Sequence, residues 1–330
     1  MDLVKCIALA AVLATGVLVG ALTAFRAEAL PAAIDLNTTS AGLTAYGDDT
    51  SDSSGRVVAA GDINGDGTDD LIIGAYSADP AGGAGAGETY VIYGGPALPA
   101  AIDLNSTSAG LTVYGDDTGD SSGYSVAAGD INGDGTDDLI IGAPGADPAG
   151  GADAGETYVI YGGPALPATI DLNATAAGLT VYGDDAGDLS GYSVAARDIN
   201  GNGTDDLIIG ASGADPAGGA GAGETYVIYG GLALPATIDL NASAAGLTVY
   251  GDDAGDASGY SVAAGDINGN GTGDLIIGAY TADPAGGAGA GETYVIYGGP
   301  ALPAAIDLNS TSAGLTVYGD DTGDSSGYSV

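Results

Sequence analysis

The chain has no histidine, no tryptophan, one phenylalanine and one cysteine. Imidazole and thiolate metal sites are thereby excluded from all but the first few residues, because the single thiol is Cys6. Basic residues are almost as scarce. Four lysines and arginines face 44 acids, for a formal net charge of -40. Nucleic acid and anionic membrane surfaces need clustered Lys or Arg, so both are excluded as partners. Helical apolar periodicity is absent beyond the first 29 residues. The 62 glycines point instead to many tight turns. Such an acidic surface suits divalent cations, basic partners or a high-salt medium.

What is present begins with a short leader. Lys5 precedes an apolar run from Cys6 to Phe25, and Ala27-Glu28-Ala29 places small residues at -3 and -1 of a cleavage site. Residues 1–29 therefore read as a secretory signal peptide, with an uncleaved membrane anchor as the alternative. The protein is expected to be secreted or held at the cell surface. Removal of the leader leaves Arg56 and Arg197 as the basic residues of the mature chain.

The remainder, 30–330, is one unit repeated every 68 residues. GDINGDGTDDLIIGA begins at Gly61 and returns at Gly129, Arg197 and Gly265 with small changes. GETYVIYGG recurs at Gly87, Gly155, Gly223 and Gly291 in the same register. Copies run near 56–123, 124–191, 192–259 and 260–327. Within the second copy, four strands are expected at Tyr124–Ala128, Asp138–Ala143, Glu156–Tyr161 and Leu179–Tyr182. Leu139-Ile140-Ile141 is continuously apolar, so that strand is buried on both faces. Small residues at Ser125, Ala127 and Ala128 mark close packing. An all-β fold of four-stranded antiparallel sheets, a β-propeller with four complete blades, fits this pattern, with a linear solenoid as the alternative. Leu43–Tyr46 matches a fourth strand with no blade before it, and the chain stops at Val330 before the next loop is due. These ends read either as a shared fifth blade or as the margins of a fragment.

Chemistry concentrates in the loop between the first and second strands. Side-chain oxygens fall at loop positions 1, 3, 5 and 9, and the position-7 carbonyl can add a backbone ligand. The candidate ligands are Asp62, Asn64, Asp66, Thr68 and Asp70 in the first copy, and Asp130, Asn132, Asp134, Thr136 and Asp138 in the second. The third offers Asp198, Asn200, Asn202, Thr204 and Asp206, and the fourth Asp266, Asn268, Asn270, Thr272 and Asp274. Hard oxygens in this number suit Ca2+ better than Mg2+. A glycine at position 6, Gly67 in the first copy, permits the sharp turn. An EF-hand is excluded, because Ile73 stands where its acid is required and strands flank the loop. Asn202 and Asn270 replace an acid, so the last two loops are expected to bind calcium more weakly.

At these residues the repeat resembles the FG-GAP repeat of integrin α-subunit N-terminal propellers and their bacterial relatives. The stretch SGYSVAAGDINGDGTDDLIIGAP from Ser122 to Pro144 carries the resemblance. Ser122, Ser190 and Ser258 stand where the family has phenylalanine, and Gly-Ala-Pro survives only at Gly142-Ala143-Pro144. The resemblance implies a propeller, typically seven-bladed, with calcium in certain interstrand loops. It also implies roles in adhesion and ligand binding, or as an accessory module of secreted enzymes.

Other motifs carry less. No mature-chain base accompanies Ser125, so a serine nucleophile is excluded. The acids recur in every copy, whereas an active site needs one asymmetric constellation, so the chain is expected not to be an enzyme. GAGAGE at Gly83–Glu88 lacks the ending of a phosphate loop and reads as a surface loop. Tyr158, Tyr161 and Tyr182 read as packing residues. Asp116, Asp117 and Asp120 should emerge on the face opposite the calcium loops, beside the Gly-rich loops. Sequons begin at Asn37, Asn105, Asn173, Asn241 and Asn309 and make the chain a candidate glycoprotein. The expected partner is an extracellular protein or glycan. The alternatives are a spacer array in a surface layer and a non-catalytic module of a larger secreted enzyme.

Overall fold

β-Branched and aromatic residues in short runs, each closed by Gly, Asp or Pro, make every repeat an antiparallel meander. The computed structural model describes residues 42–80, 83–106, 110–148, 151–174, 177–216, 219–242, 245–284, 287–310 and 314–330. The leader read over 1–29, the sequon at Asn37, and Thr107, Thr175, Ser243 and Thr311 of the later sequons lie outside these residues. Among the described residues no helix is long and apolar enough to cross a membrane.

The fold is all-β and consistent with a β-propeller. The first sheet joins Val57–Gly61, Asp70–Ala75, Glu88–Ile92 and Leu111–Tyr114. The second joins Ser125–Gly129, Asp138–Ala143, Glu156–Ile160 and Leu179–Tyr182. The third joins Ser190–Arg197, Asp206–Ala211, Glu224–Ile228 and Leu247–Tyr250, and the fourth Ser261–Gly265, Asp274–Ala279, Glu292–Ile296 and Leu315–Tyr318. Three expected boundaries shift by one residue: the first strand of the second sheet runs Ser125–Gly129 rather than Tyr124–Ala128, and the third ends at Ile160 rather than Tyr161. Tyr124 is held before its strand because its N–H donates to Ser121 O in a turn (3.0 Å). Tyr161 falls after its strand because the N–H of Gly162 is drawn to the Asp138 carboxylate (2.9 Å).

The sheets stack in series. Leu139 and Ile141 of the second sheet pack with Ile63, Ile72 and Leu111 of the first. Ile140, between them, packs on the other side with Val194, Leu207 and Ile209 of the third. All three residues are fully buried, as the unbroken apolar run required. Each such side chain contributes about 1.5–3 kcal/mol. First strands of successive sheets lie against one another. A Cβ placed on Gly129 would sit 2.6 Å from the Cβ of Ala196, so no side chain fits at Gly129 against its neighbour.

Each of the first three sheets carries a fifth strand that sequence reading missed. Thr169–Asp171, in the connection between the third and fourth strands of the second sheet, reaches back and pairs in parallel with Leu111–Tyr114. Thr237–Asp239 and Ala305–Asp307 repeat the move on the next two sheets. The added strand covers an otherwise open edge, and Ile170 and Leu172 sink into the core beside it. Thr44–Tyr46 pairs in the same way with Ala101–Asp103, not with the C-terminal segment, so the two ends do not share a sheet. Ile267 is 54% exposed whereas its counterparts Ile131 and Ile199 are fully buried, so the outer face of the fourth sheet is open.

Candidate metal centres

The four Asp-rich loops join first to second strands, as expected, and share one local design. The position-1 carboxylate folds the loop over itself. Asp130 Oδ1 accepts the N–H groups of Gly133 (2.8 Å) and Asp134 (2.9 Å), and Oδ2 that of Gly135 (2.9 Å). Gly135 sits at φ 90°, the left-handed region that glycine enters freely, which explains the invariant position 6. Asp134 then takes the N–H of Thr136 (3.0 Å). Position 9 closes the loop onto the second strand. Asp138 Oδ2 accepts from Ile131 (3.0 Å) and Asn132 (3.1 Å), and Oδ1 from Gly162 (2.9 Å).

The same bonds recur around Asp62, Asp66 and Asp70, around Asp198, Asn202 and Asp206, and around Asp266, Asn270 and Asp274. Thr68, Thr136, Thr204 and Thr272 each donate their N–H to the position-5 side chain. Position-3 asparagines Asn64, Asn132, Asn200 and Asn268 each turn Nδ2 onto the position-9 carboxylate. The five candidate positions of each copy thus share one loop held by bonds to its own backbone, without bringing three carboxylates into mutual contact.

Two observations fit a hard cation here. Asn132 Oδ1 is buried without a hydrogen-bond partner, an acceptor in want of a positive group. Asp138, fully buried, has its carboxyl pushed up to about 7 by desolvation, against the pull of its backbone donors. Asp206 is pushed to about 6 for the same reason. A calcium ion held by Asp130, Asn132, Asp134 and Asp138 would supply the missing charge and keep these carboxylates ionised. The one cluster of three acids with mutually close carboxylate oxygens among the described residues lies elsewhere, at exposed Asp320, Asp321 and Asp324.

Sequence reading missed how the loops are tied together. The second glycine of YGG donates to the preceding loop: Gly163 N bonds Ile63 O at 2.8 Å, and Gly231 N bonds Ile131 O at 2.9 Å. The first glycine serves position 9, so Gly-Gly is a two-way anchor. The recurrence of YGG in step with the loop was the available signal. The position-8 acid also works between sheets, since Asp137 Oδ2 accepts the Asp62 N–H at 2.9 Å.

The opposite face is acidic, as the strand count implied. Its fourth-to-first loops lie beside the Gly-rich loops, with Gly119 N bonded to Ala84 O (3.1 Å) and Ser121 N to Gly85 O (3.1 Å). A recess of about 940 Å³ there is lined by Asp184, Asp215, Glu224, Tyr226 and Asp252. A smaller one, about 300 Å³, is lined by Asp48, Asp52, Asp79 and Glu88. Burial pushes Glu156 and Glu224 up to about 7, opposed by the tyrosine hydroxyls of Tyr158 and Tyr226 that donate to them (2.5 Å each). Burial likewise pushes Asp120 and Asp188 to about 6.

Tyr158 is thus a core residue, as read. A different set of tyrosines forms a ladder along the first strands: Tyr124, Tyr192, Tyr260 and Tyr328, with centroids 4.7, 4.8 and 5.0 Å apart. Arg56 takes the ladder's first place, its guanidinium 4.3 Å from the Tyr124 centroid. Ser125 Oγ donates to Gly191 O at 2.8 Å, a structural bond between sheets. Ser122, Ser190 and Ser258 are fully buried with unpartnered hydroxyls. The sequon asparagines also have structural work. Asn173 Nδ2 donates to Asp116 O (3.0 Å), and Asn105, Asn241 and Asn309 repeat this on Asp48, Asp184 and Asp252.

Comparison with known proteins agrees with this geometry. The FG-GAP repeat model matches residues 54–92, 122–160, 190–228 and 258–296. The chain is 31% identical over 210 residues to human phosphatidylinositol-glycan-specific phospholipase D, covering 63% of this chain and 24% of that protein. It is 32% identical over 239 residues to integrin alpha pat-2 of Caenorhabditis briggsae, covering 69% and 18%. It is 30% identical over 262 residues to integrin alpha-5 of Xenopus laevis, covering 77% and 22%. The chain therefore spans about a quarter or less of the length of these relatives. With four matched repeats, each spanning the first three strands of one sheet, the chain belongs to the FG-GAP repeat family.

Proposed function

We propose that this chain is a calcium-stabilised β-propeller module, secreted or cell-surface, that binds an extracellular protein or glycan and carries no catalysis of its own. One observation carries the reading: in the second loop an unpartnered buried Asn132 Oδ1 stands beside the fully buried carboxylate of Asp138. Calcium would neutralise the loop acids and fix each turn, stabilising the fold by mass action wherever it is abundant. Asp62, Asp66 and Asp70, like their second-copy counterparts, give three carboxylates, whereas Asn202 and Asn270 leave two in the later loops. Calorimetric titration with Ca2+ should resolve a tighter pair and a weaker pair of sites. Chelator should lower the thermal midpoint. Four equal affinities would refute the grading, and a melt indifferent to chelator would refute the structural role.

The similarity to phosphatidylinositol-glycan-specific phospholipase D, confined to 24% of that protein, supports a second reading as the non-catalytic module of a larger secreted enzyme. The genomic sequence flanking the chain decides between them.

A further inference from the structure

We infer that Arg197 and Gly273 form a matched pair that lets the third sheet accept only a neighbour with no side chain at loop position 8. The first two junctions are built alike. Gly61 of the first sheet faces Asp137 of the second, and Gly129 of the second faces Asp205 of the third. In each, the glycine leaves room for the acid, whose carboxylate accepts the position-1 N–H of the preceding loop, Asp62 or Asp130. Even a bare Cβ on Gly61 would come within 2.4 Å of Ala128 Cβ and 2.8 Å of Asp137 Oδ2.

The third junction exchanges both partners at once. Arg197 stands in the glycine's place and Gly273 in the acid's. The main-chain rung survives, with Gly273 N donating to Asp198 O at 2.8 Å. The side-chain latch does not. Arg197 Cγ lies 2.4 Å from where a Cβ on Gly273 would be, so it fills the space the acid occupies elsewhere. Arginine against aspartate would clash at this junction, and glycine against glycine would leave a gap. The exchanged pair fills the space, as glycine against aspartate does at the first two junctions.

In an array of nearly identical sheets, docking out of order is the characteristic hazard, and one junction of different shape assigns a unique neighbour. The pair thus breaks the uniformity of the repeats at the place where it sets their order.

Thermal midpoints of the full chain in saturating calcium test the fit. Gly273→Asp should lose several degrees, or fail to fold. Arg197→Gly combined with Gly273→Asp rebuilds the junction found twice and should recover the wild-type midpoint. The pair should also be portable: Gly61→Arg should destabilise, and Gly61→Arg with Asp137→Gly should restore. Double variants no better than the sum of their singles would overturn the match. Refolding tests the ordering. With three like junctions, the Arg197→Gly/Gly273→Asp chain should yield several-fold more swapped dimer by size-exclusion chromatography than wild type. Equal yields would overturn the ordering role.

Discussion

Replacing Glu156 by glutamine should stabilise the protein at alkaline pH and flatten its pH dependence. Glu156 is 8% exposed, bonded to Tyr158 and surrounded by Asp116, Asp117 and Asp120. Burial holds its carboxyl at about 7, against about 4.3 for a free glutamate. The folded state therefore holds this proton more tightly than the unfolded state does. That contribution is fully present below about pH 4 and is lost as pH rises through 7. At pH 8 the ionised carboxylate costs roughly 3–4 kcal/mol, at about 1.36 kcal/mol per pKa unit. Glutamine keeps an acceptor for Tyr158 and never ionises. Glu156→Gln should thus gain roughly 3 kcal/mol at pH 8, about 1 kcal/mol at pH 5 and almost nothing at pH 4. At roughly 2–4 °C per kcal/mol, the midpoint gain at pH 8 is on the order of 5–10 °C. Paired melts of both proteins from pH 4 to 8, at one saturating calcium concentration, measure the difference while the other acids cancel. A variant that melts lower than wild type at pH 8 would show that the native site stabilises the carboxylate, through a bound cation, and would refute the reasoning.

Three further substitutions probe the packing. Gly142→Ala places a Cβ 2.1 Å from Gly191 O of the next sheet and 2.3 Å from Ser125 Oγ, and should cost about 3 kcal/mol in urea unfolding; a cost under about 1 kcal/mol would contradict the close approach of Gly142 to the neighbouring sheet. Ser122→Ala removes a buried hydroxyl without a partner and should raise stability by about 1 kcal/mol, with a loss of stability showing that the hydroxyl is bonded. Asn173→Ala cuts the bonds to Asp116 and Asp117 and should cost about 1 kcal/mol; an unchanged melting curve would show the clamp to be idle.

Much of this molecule is legible in its sequence because the repeat keeps register. The unbroken Leu139-Ile140-Ile141 run announces a strand buried between two sheets, and Gly135 announces the tight turn whose N–H bonds Asp130. What stays hidden depends on partners far along the chain. Thr169–Asp171 is too short to read as a strand, and its partner Leu111–Tyr114 lies in the preceding repeat. Asn173 reads as a sequon because its hydrogen bond spans 57 positions. Arg197 and Gly273 are plain departures from the repeat, but their meaning requires knowing that one faces the other.

The borrowed fifth strand has a consequence for where one unit ends. The chain builds three strands of the second sheet, returns to the first to add Thr169–Asp171, and then completes the second with Leu179–Tyr182. Neighbouring sheets are therefore interlaced like links, and no single cut between sheets releases one whole. A protease nick at the exposed loop before Ser125 would leave both pieces pinned by that returning strand. By the same logic, a gene fragment encoding one sheet lacks part of its own edge. The smallest segment that closes all its strands is offset from the visible sheet. A library of truncations should accordingly yield soluble protein at boundaries in the middle of a sheet's connection, after Leu172, before it does so at the boundaries between sheets.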